Sequence, residues 1–236
     1  MEKQKLINFI QKYYLGGNTD SAKLVVENNT LSTKFISEDQ NVIGEVVMNT
    51  FTAPDAELGV YTTSQLVKML SAIGDKIDIT YGESDKKIYS LNLKDSNTNL
   101  TYMLADLSVI RQVPNLKQLP EFDVEIELNK EFAANFKKAA GAIDSENFGV
   151  NSDGTDTKII INHSSVNTNR ITFKTATKRV TKLDTICFSA KLMKEILNAN
   201  SDSVGVLEVS SKGLARVTFT NAEYKTTYYL VKLTIA

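Results

Sequence analysis

Between Phe122 and Leu128 the chain alternates strictly: Phe122, Val124, Ile126 and Leu128 are apolar, while Asp123, Glu125 and Glu127 are acidic. A period of two places successive side chains on opposite faces, so the run predicts a strand with one face on a core and the other in water. The period then changes. Phe132, Phe136, Ala139, Ala140 and Ile143 recur at helical spacing, Lys130, Lys137 and Lys138 take the other side, and Asn129 stands where its side-chain oxygen can cap the first open amides. An acidic strand runs directly into a basic helix.

The same pattern returns along the chain. Residues 2–14 predict a helix with Leu6, Phe9, Ile10 and Tyr13 on one face and Lys5, Asn8 and Lys12 opposite, ended by Gly16 and Gly17. A second helix is expected from Ser64 as its N-cap to a stop at Gly74, with Leu66, Met69, Leu70 and Ile73 inward and Lys68 outward. In a fourth, capped by Ser189, Leu192, Met193, Ile196 and Leu197 face inward and Lys191, Lys194 and Asn198 outward.

Strand-like runs lie at residues 23–26, 31–37, 42–48, 58–61, 76–81, 88–93, 100–104, 158–162, 171–175, 183–188, 204–209, 214–219 and 226–235, with Asn28 and Asn29 as the first turn. After the third helix a polar loop and a Ser152-Asp153-Gly154 turn are expected. The helices begin near residues 2, 64, 130 and 190, and Pro114 and Pro120 bracket an aperiodic stretch between the second and third. This is a fourfold strand, helix and three-strand unit, paired two by two. It predicts an α+β chain with domains at 1–106 and 122–236 and a connector at 107–121.

Charge sharpens the picture. The chain has 236 residues and a net charge of −1. The helices, however, hold nine lysines against three acids, a surplus of six that leaves the rest of the chain at −7. Such bias serves solubility or a polyanion. Lysines are mobile point charges suited to a phosphate backbone, whereas arginine, the usual reader of base edges, is scarce, so any duplex contact is expected to be loose and without sequence preference.

Candidate chemistry is thin. His163 has no second His or Cys nearby to make a metal site, Cys187 sits in an apolar context as a buried residue, and neither a phosphate-cradling loop nor a nucleophile elbow is present. Asp123, Glu125 and Glu127 read as a solvated sheet face rather than as acid-base partners. No enzymatic activity and no cofactor are expected. The longest apolar runs fall short of a membrane span and the N-terminus lacks the pattern of a signal peptide, so a cytoplasmic protein with no membrane partner is expected.

The repeated unit, the Pro-bracketed connector and segments such as FDVEIELNKEFAANFKKAAGAI and FSAKLMKEILNANSDSVGVLEVSSKGLARVTF resemble the sliding DNA clamps, polymerase processivity factors with a PCNA-like fold. The length is most similar to clamps of T-even-type bacteriophages. The resemblance implies two similar processivity-fold domains per chain and a closed homotrimeric ring, with helices around double-stranded DNA and a sheet outside. It also implies a DNA polymerase tethered for processive DNA replication, loading by a clamp-loader ATPase, and, for a viral protein, the infected host cell as location. The implied DNA contacts are Lys5, Lys12, Lys68, Lys137, Lys138, Lys191 and Lys194. The implied partner-peptide pocket uses Val109, Ile110, Leu116, Leu119, Val231, Leu233 and Ile235, which read equally well as domain packing. The competing reading is a β-rich oligomeric structural or assembly protein, such as a virion component, that does not bind DNA.

Overall fold

The computed structural model describes residues 1–85, 87–116 and 118–234. The chain forms two compact units, one comprising Met1–Glu38, Gly44–Pro114 and Ala222–Thr226, the other Asp39–Ile43, Asn115–Asn221 and the chain from Thr227 onward. Each is built from two helices and two antiparallel sheets.

In the first unit, α1 (Lys3–Tyr14) and α2 (Thr63–Leu70) accompany one sheet in the order β3 (Val42–Met48), β2 (Thr30–Ile36), β1 (Ala22–Glu27), β4 (Ala56–Val60), and a second in the order β5 (Asp78–Ser84), β6 (Lys87–Lys94), β7 (Asn99–Met103). Burial alternates along β1 to β3 as the period of two requires: Leu24, Phe35 and Val46 are buried while Lys23, Lys34 and Glu45 are not. The β1–β2 turn needs left-handed backbone at both central positions, and Asn28 (φ 51) and Asn29 (φ 60) tolerate it. Phe9, Ile10 and Tyr13 of α1 are fully buried. Tyr13 shares a 3.2 Å hydrogen bond with the Thr63 hydroxyl of α2, so a polar contact inside the core fixes how the two helices meet.

The start of α2 differs from expectation. Thr62 occupies the cap position without a side-chain bond, and Ser64 lies inside the first turn. Asp20 caps the helix from a distant loop: its carbonyl accepts from the Thr63 amide at 2.8 Å, its Oδ1 from the Ser64 amide at 2.8 Å, and its Oδ2 from the Ser64 hydroxyl at 3.3 Å. A carboxylate at a helix N-terminus meets both the open amides and the positive end of the dipole, so it outcompetes the local serine. The helix also stops at Leu70; Gly74 instead gives its amide to Asp95 Oδ2 at 2.5 Å.

In the second unit, α3 (Lys130–Ala142) and α4 (Ala190–Ala199) accompany a sheet in the order β12 (Thr177–Arg179), β8 (Val124–Leu128), β14 (Gly205–Ser210), β15 (Leu214–Thr220), β16 (Tyr224–Val231), and another in the order β11 (Ile171–Thr175), β10 (Thr157–Ile161), β9 (Asn147–Asp153), β13 (Lys182–Ser189). Here the expected caps form. Asn129 Oδ1 accepts from the Phe132 amide at 2.9 Å and Ser189 Oγ from the Leu192 amide at 3.2 Å. Phe132, Phe136, Phe148 and Phe188 make a chain of aromatic contacts with centroids 5.0 to 6.0 Å apart, joining α3 to β9 and β13.

Strand β9 occupies the stretch expected to be a polar loop, and β12 was not anticipated. β9 buries Phe148, Gly149 and Val150 between β10 and β13. The acidic face of β8 is half-buried rather than free in water: Glu125 stands opposite Glu208 of β14, and Arg179 and Arg216 offset the two carboxylates.

The caps give a graded expectation. Replacing Asn129 by Ala removes the α3 cap at a cost of about 1 kcal/mol, and Asp20→Ala, which strips two contacts from α2, costs about 1–2 kcal/mol. Ser64→Ala should cost only a few tenths of a kcal/mol, because the amide bond to Asp20 survives. Chemical denaturation of the three variants checks the order.

Candidate nucleic-acid interface

Each helix buries one stripe on its sheets, and that packing decides which lysines stay open. On α3 the buried residues are Phe132, Phe136, Ala139 and Ala140; on α4 they are Ala190, Leu192, Met193, Ile196 and Leu197. Lys130, Lys138, Lys191 and Lys194 are exposed, as is Lys68 on α2, while Lys137 is half-buried. Among the described residues none of these six takes part in an ion pair. Lys130, outside the candidate set, joins Lys137 along a cavity of about 180 Å³ between the start of α3 and the end of α4. Its position directly after the Asn129 cap was the available signal.

Helix α1 behaves differently. Lys5 is ion-paired with Glu223, and that hydrogen-bonded contact raises the lysine's pKa above its ordinary value. Lys12, expected on the outer face, is 1% exposed, with its ammonium 4.9 Å from the centre of the Tyr224 ring. The tyrosine hydroxyl in turn donates to the Lys5 carbonyl at 2.9 Å. Residues 222–226 thus cover the side of α1 that local periodicity assigns to water, which corrects the outer-face placement of Lys12. Lys3 is tied as well, donating to the Ile73 carbonyl at 2.5 Å.

The apolar candidates are distributed. Val109 is 58% exposed on a groove of about 500 Å³ with Tyr61, Met69 and Met103, Ile110 is buried at 5% beneath a separate groove, and Leu233 lines a third cavity with His163 and Cys187. Leu116 and Val231 are exposed, Leu119 is half-buried, and Ile235 lies outside the described residues. Cys187 is buried, and loss of water pushes its thiol up to about 11. Among the described residues no group of His, Cys, Asp and Glu could hold a metal ion, and no helix is long and apolar enough to cross a membrane.

Lysine burial sets a test. Lys12→Glu places an unpaired carboxylate where a cation sits on an aromatic face and should destabilise the fold by about 3–5 kcal/mol, the scale for an uncompensated buried charge. Lys191→Glu and Lys194→Glu should each stay within about 0.5 kcal/mol of the parent. Thermal or chemical unfolding of each variant reads the difference.

No protein-family model matches the chain, and no curated protein matches it. Solved structures do. The structure of the C-terminal region of FEN-1 bound to A. fulgidus PCNA aligns with a TM-score of 0.78 at 18% identity, covering 100% of this chain and 98% of that one. Proliferating cellular nuclear antigen from Entamoeba histolytica aligns with a TM-score of 0.74 at 13% identity, covering 99% of this chain and 97% of that one. The chain has the PCNA-like clamp fold, an α+β fold of four helices and large antiparallel sheets.

Proposed function

We propose that this chain is a non-enzymatic sliding clamp that encircles duplex DNA and tethers a replicative polymerase, with a partner ATPase loading it. The observation that carries the proposal is the set of six lysines that, among the described residues, take part in no ion pair on α2, α3 and α4, in a fold shared over its whole length with PCNA structures. Lys68, Lys130, Lys137, Lys138, Lys191 and Lys194 face phosphates; Lys12 is excluded by burial and Lys5 contributes little beside Glu223. Against Glu131 and Glu195 these six leave four positive charges per subunit on the three helices.

A homotrimer of the T-even-phage type closes through strand edges. Sheets end at β7 and at β11, and the Leu104 amide bonds to the Tyr89 carbonyl, which by alternation turns the Thr101 and Met103 backbone groups away from β6. Pairing of β7 with β11 of a neighbouring subunit satisfies both edges. Polymerase and loader dock through short segments, with the connector as the proposed place; docking by a segment is supported by the C-terminal region of FEN-1 bound to A. fulgidus PCNA.

Retention separates encirclement from ordinary binding. Non-specific contacts hold DNA with Kd on the order of 10⁻⁴ to 10⁻⁶ M at physiological salt, too weakly for long residence. After loading by the partner ATPase, the protein should persist on circular DNA and run off linear DNA of the same sequence. Combined Lys137→Glu, Lys138→Glu, Lys191→Glu and Lys194→Glu should weaken retention on the circle without unfolding the chain. Equal lifetimes on both DNA forms overturn the clamp reading in favour of simple binding, and no DNA association at all favours an assembly protein.

A further inference from the structure

In the second unit a cavity of about 320 Å³ lies between the end of β10, the strand β13 and the chain that follows β16, at the small end of the ~300–1,000 Å³ range of ligand clefts. Glycine opens its floor. A Cβ at Gly149 of β9 would lie 2.6 Å from Thr185 Cγ2 and 3.5 Å from both Cys187 Sγ and His163 Cβ, so the close approach leaves no room for a side chain there. The register of β13 against β9 shifts between Leu183 and Ile186, and such a bulge re-aims the residues within it. Of these, Thr185 lines the cavity, whereas Asp184 is exposed and does not.

The polar groups converge from three elements. His163, just beyond β10, has a buried Nδ1 with no hydrogen-bond partner among the described residues, and a buried polar atom left so costs free energy that a bound oxygen removes. Lys232 is held by backbone and stem: its amide donates to the Gly213 carbonyl at 2.9 Å, and its methylenes occupy the space that a side chain at Gly213 (φ 88) would fill. The Leu233 amide donates to the Cys187 carbonyl at 2.7 Å, which fastens residues 232–233 against β13. Among the described residues Lys232 takes part in no ion pair and no acid lines the cavity. Thr185 and Thr234 add hydroxyls, while Ile186 and Leu233 add apolar surface.

We propose that this cavity binds a small phosphate monoester, its phosphoryl oxygens on Lys232, the Thr185 hydroxyl and a His163 imidazole that carries its proton on Nδ1, and its organic part on Ile186 and Leu233. Lysine binds phosphate as a point charge, and donors arriving from three sides suit a tetrahedral oxyanion better than a planar carboxylate, whose usual partner is the arginine fork. The site goes beyond the clamp reading and does not depend on it. Of the apolar residues considered above for partner peptides it includes Leu233 alone, and it takes a small anion rather than a protein segment.

His163 is the one histidine of the chain, so its ring signal in proton NMR reports the site directly. Phenyl phosphate is the probe, titrated into the full chain at fixed pH. It should shift the imidazole signal saturably; phenol should leave the signal in place, and benzoate should bind at least about tenfold more weakly, the scale of one lost charge-assisted contact. Lys232→Gln, at an exposed position, should weaken phenyl phosphate by a similar factor. Lys94→Gln, at an exposed position of β6 in the first unit, should leave its affinity unchanged. An imidazole signal that phenyl phosphate does not move, or that phenol moves equally, overturns the site. So does benzoate binding as tight as that of phenyl phosphate, an unaltered affinity in Lys232→Gln, or an equal loss in Lys94→Gln.

Discussion

A helix laid on a sheet can bury one stripe and must leave the rest to water or to another segment of chain. In this protein that constraint sorts the positive charge. On α3 and α4 the aromatic and aliphatic stripes meet β9, β13 and their neighbours, so the lysines between them have nowhere to go but outward. On α1 a second surface arrives, residues 222–226, and the same kind of lysine becomes structural: Lys12 lies under an aromatic ring and Lys5 on a carboxylate. Four helices with one sequence pattern therefore present two kinds of face.

What could be read from the sequence follows the range of the interactions involved. The strand 124–128 and the helix after it were legible because alternation, cap and stripe are all local, and Asn129 and Ser189 cap as expected. Strand β9 was not, because Asn147-Phe-Gly-Val-Asn-Ser-Asp has only two large apolar residues; its burial comes from β10 and β13 on either side rather than from its own pattern. The cap of α2 was misassigned for the same reason, since the residue that fills it is Asp20, far away in sequence. Strand β12 is three residues long and carries no period to detect.

The candidate interface divides along the same line. Lysine exposure on α2, α3 and α4 follows from helical phase alone, which is why Lys68, Lys138, Lys191 and Lys194 were legible. The fates of Lys5 and Lys12 depend on Glu223 and Tyr224, more than 200 residues along the chain, and no local pattern announces them. The apolar connector residues were the least legible. Val109 and Ile110 are adjacent, yet one is 58% exposed and the other 5%, because Val109 closes a single 3-10 turn that begins at Leu107 and opens on one groove, while the backbone becomes extended at Ile110, which lines another.

The arginines complete the electrostatic argument. Arg111 is bound to backbone carbonyls, Arg179 donates to the Phe122 carbonyl at 3.1 Å beside Glu125, and Arg216 donates to Glu208 at 2.5 Å with its guanidinium 4.6 Å from the Phe122 ring centre. Arginine makes the fitted, two-pronged contacts that fix a phosphate in one register, and here the forks of Arg111, Arg179 and Arg216 are engaged in holding loops and strands, while the exposed Arg170 stands just before β11 and on none of the helices. The open helix faces carry lysine instead, whose single ammonium can pass from one phosphate to the next without breaking a shaped contact. Under the proposed reading this division is what sliding requires: enough positive charge to keep duplex centred, and no contact good enough to stop it.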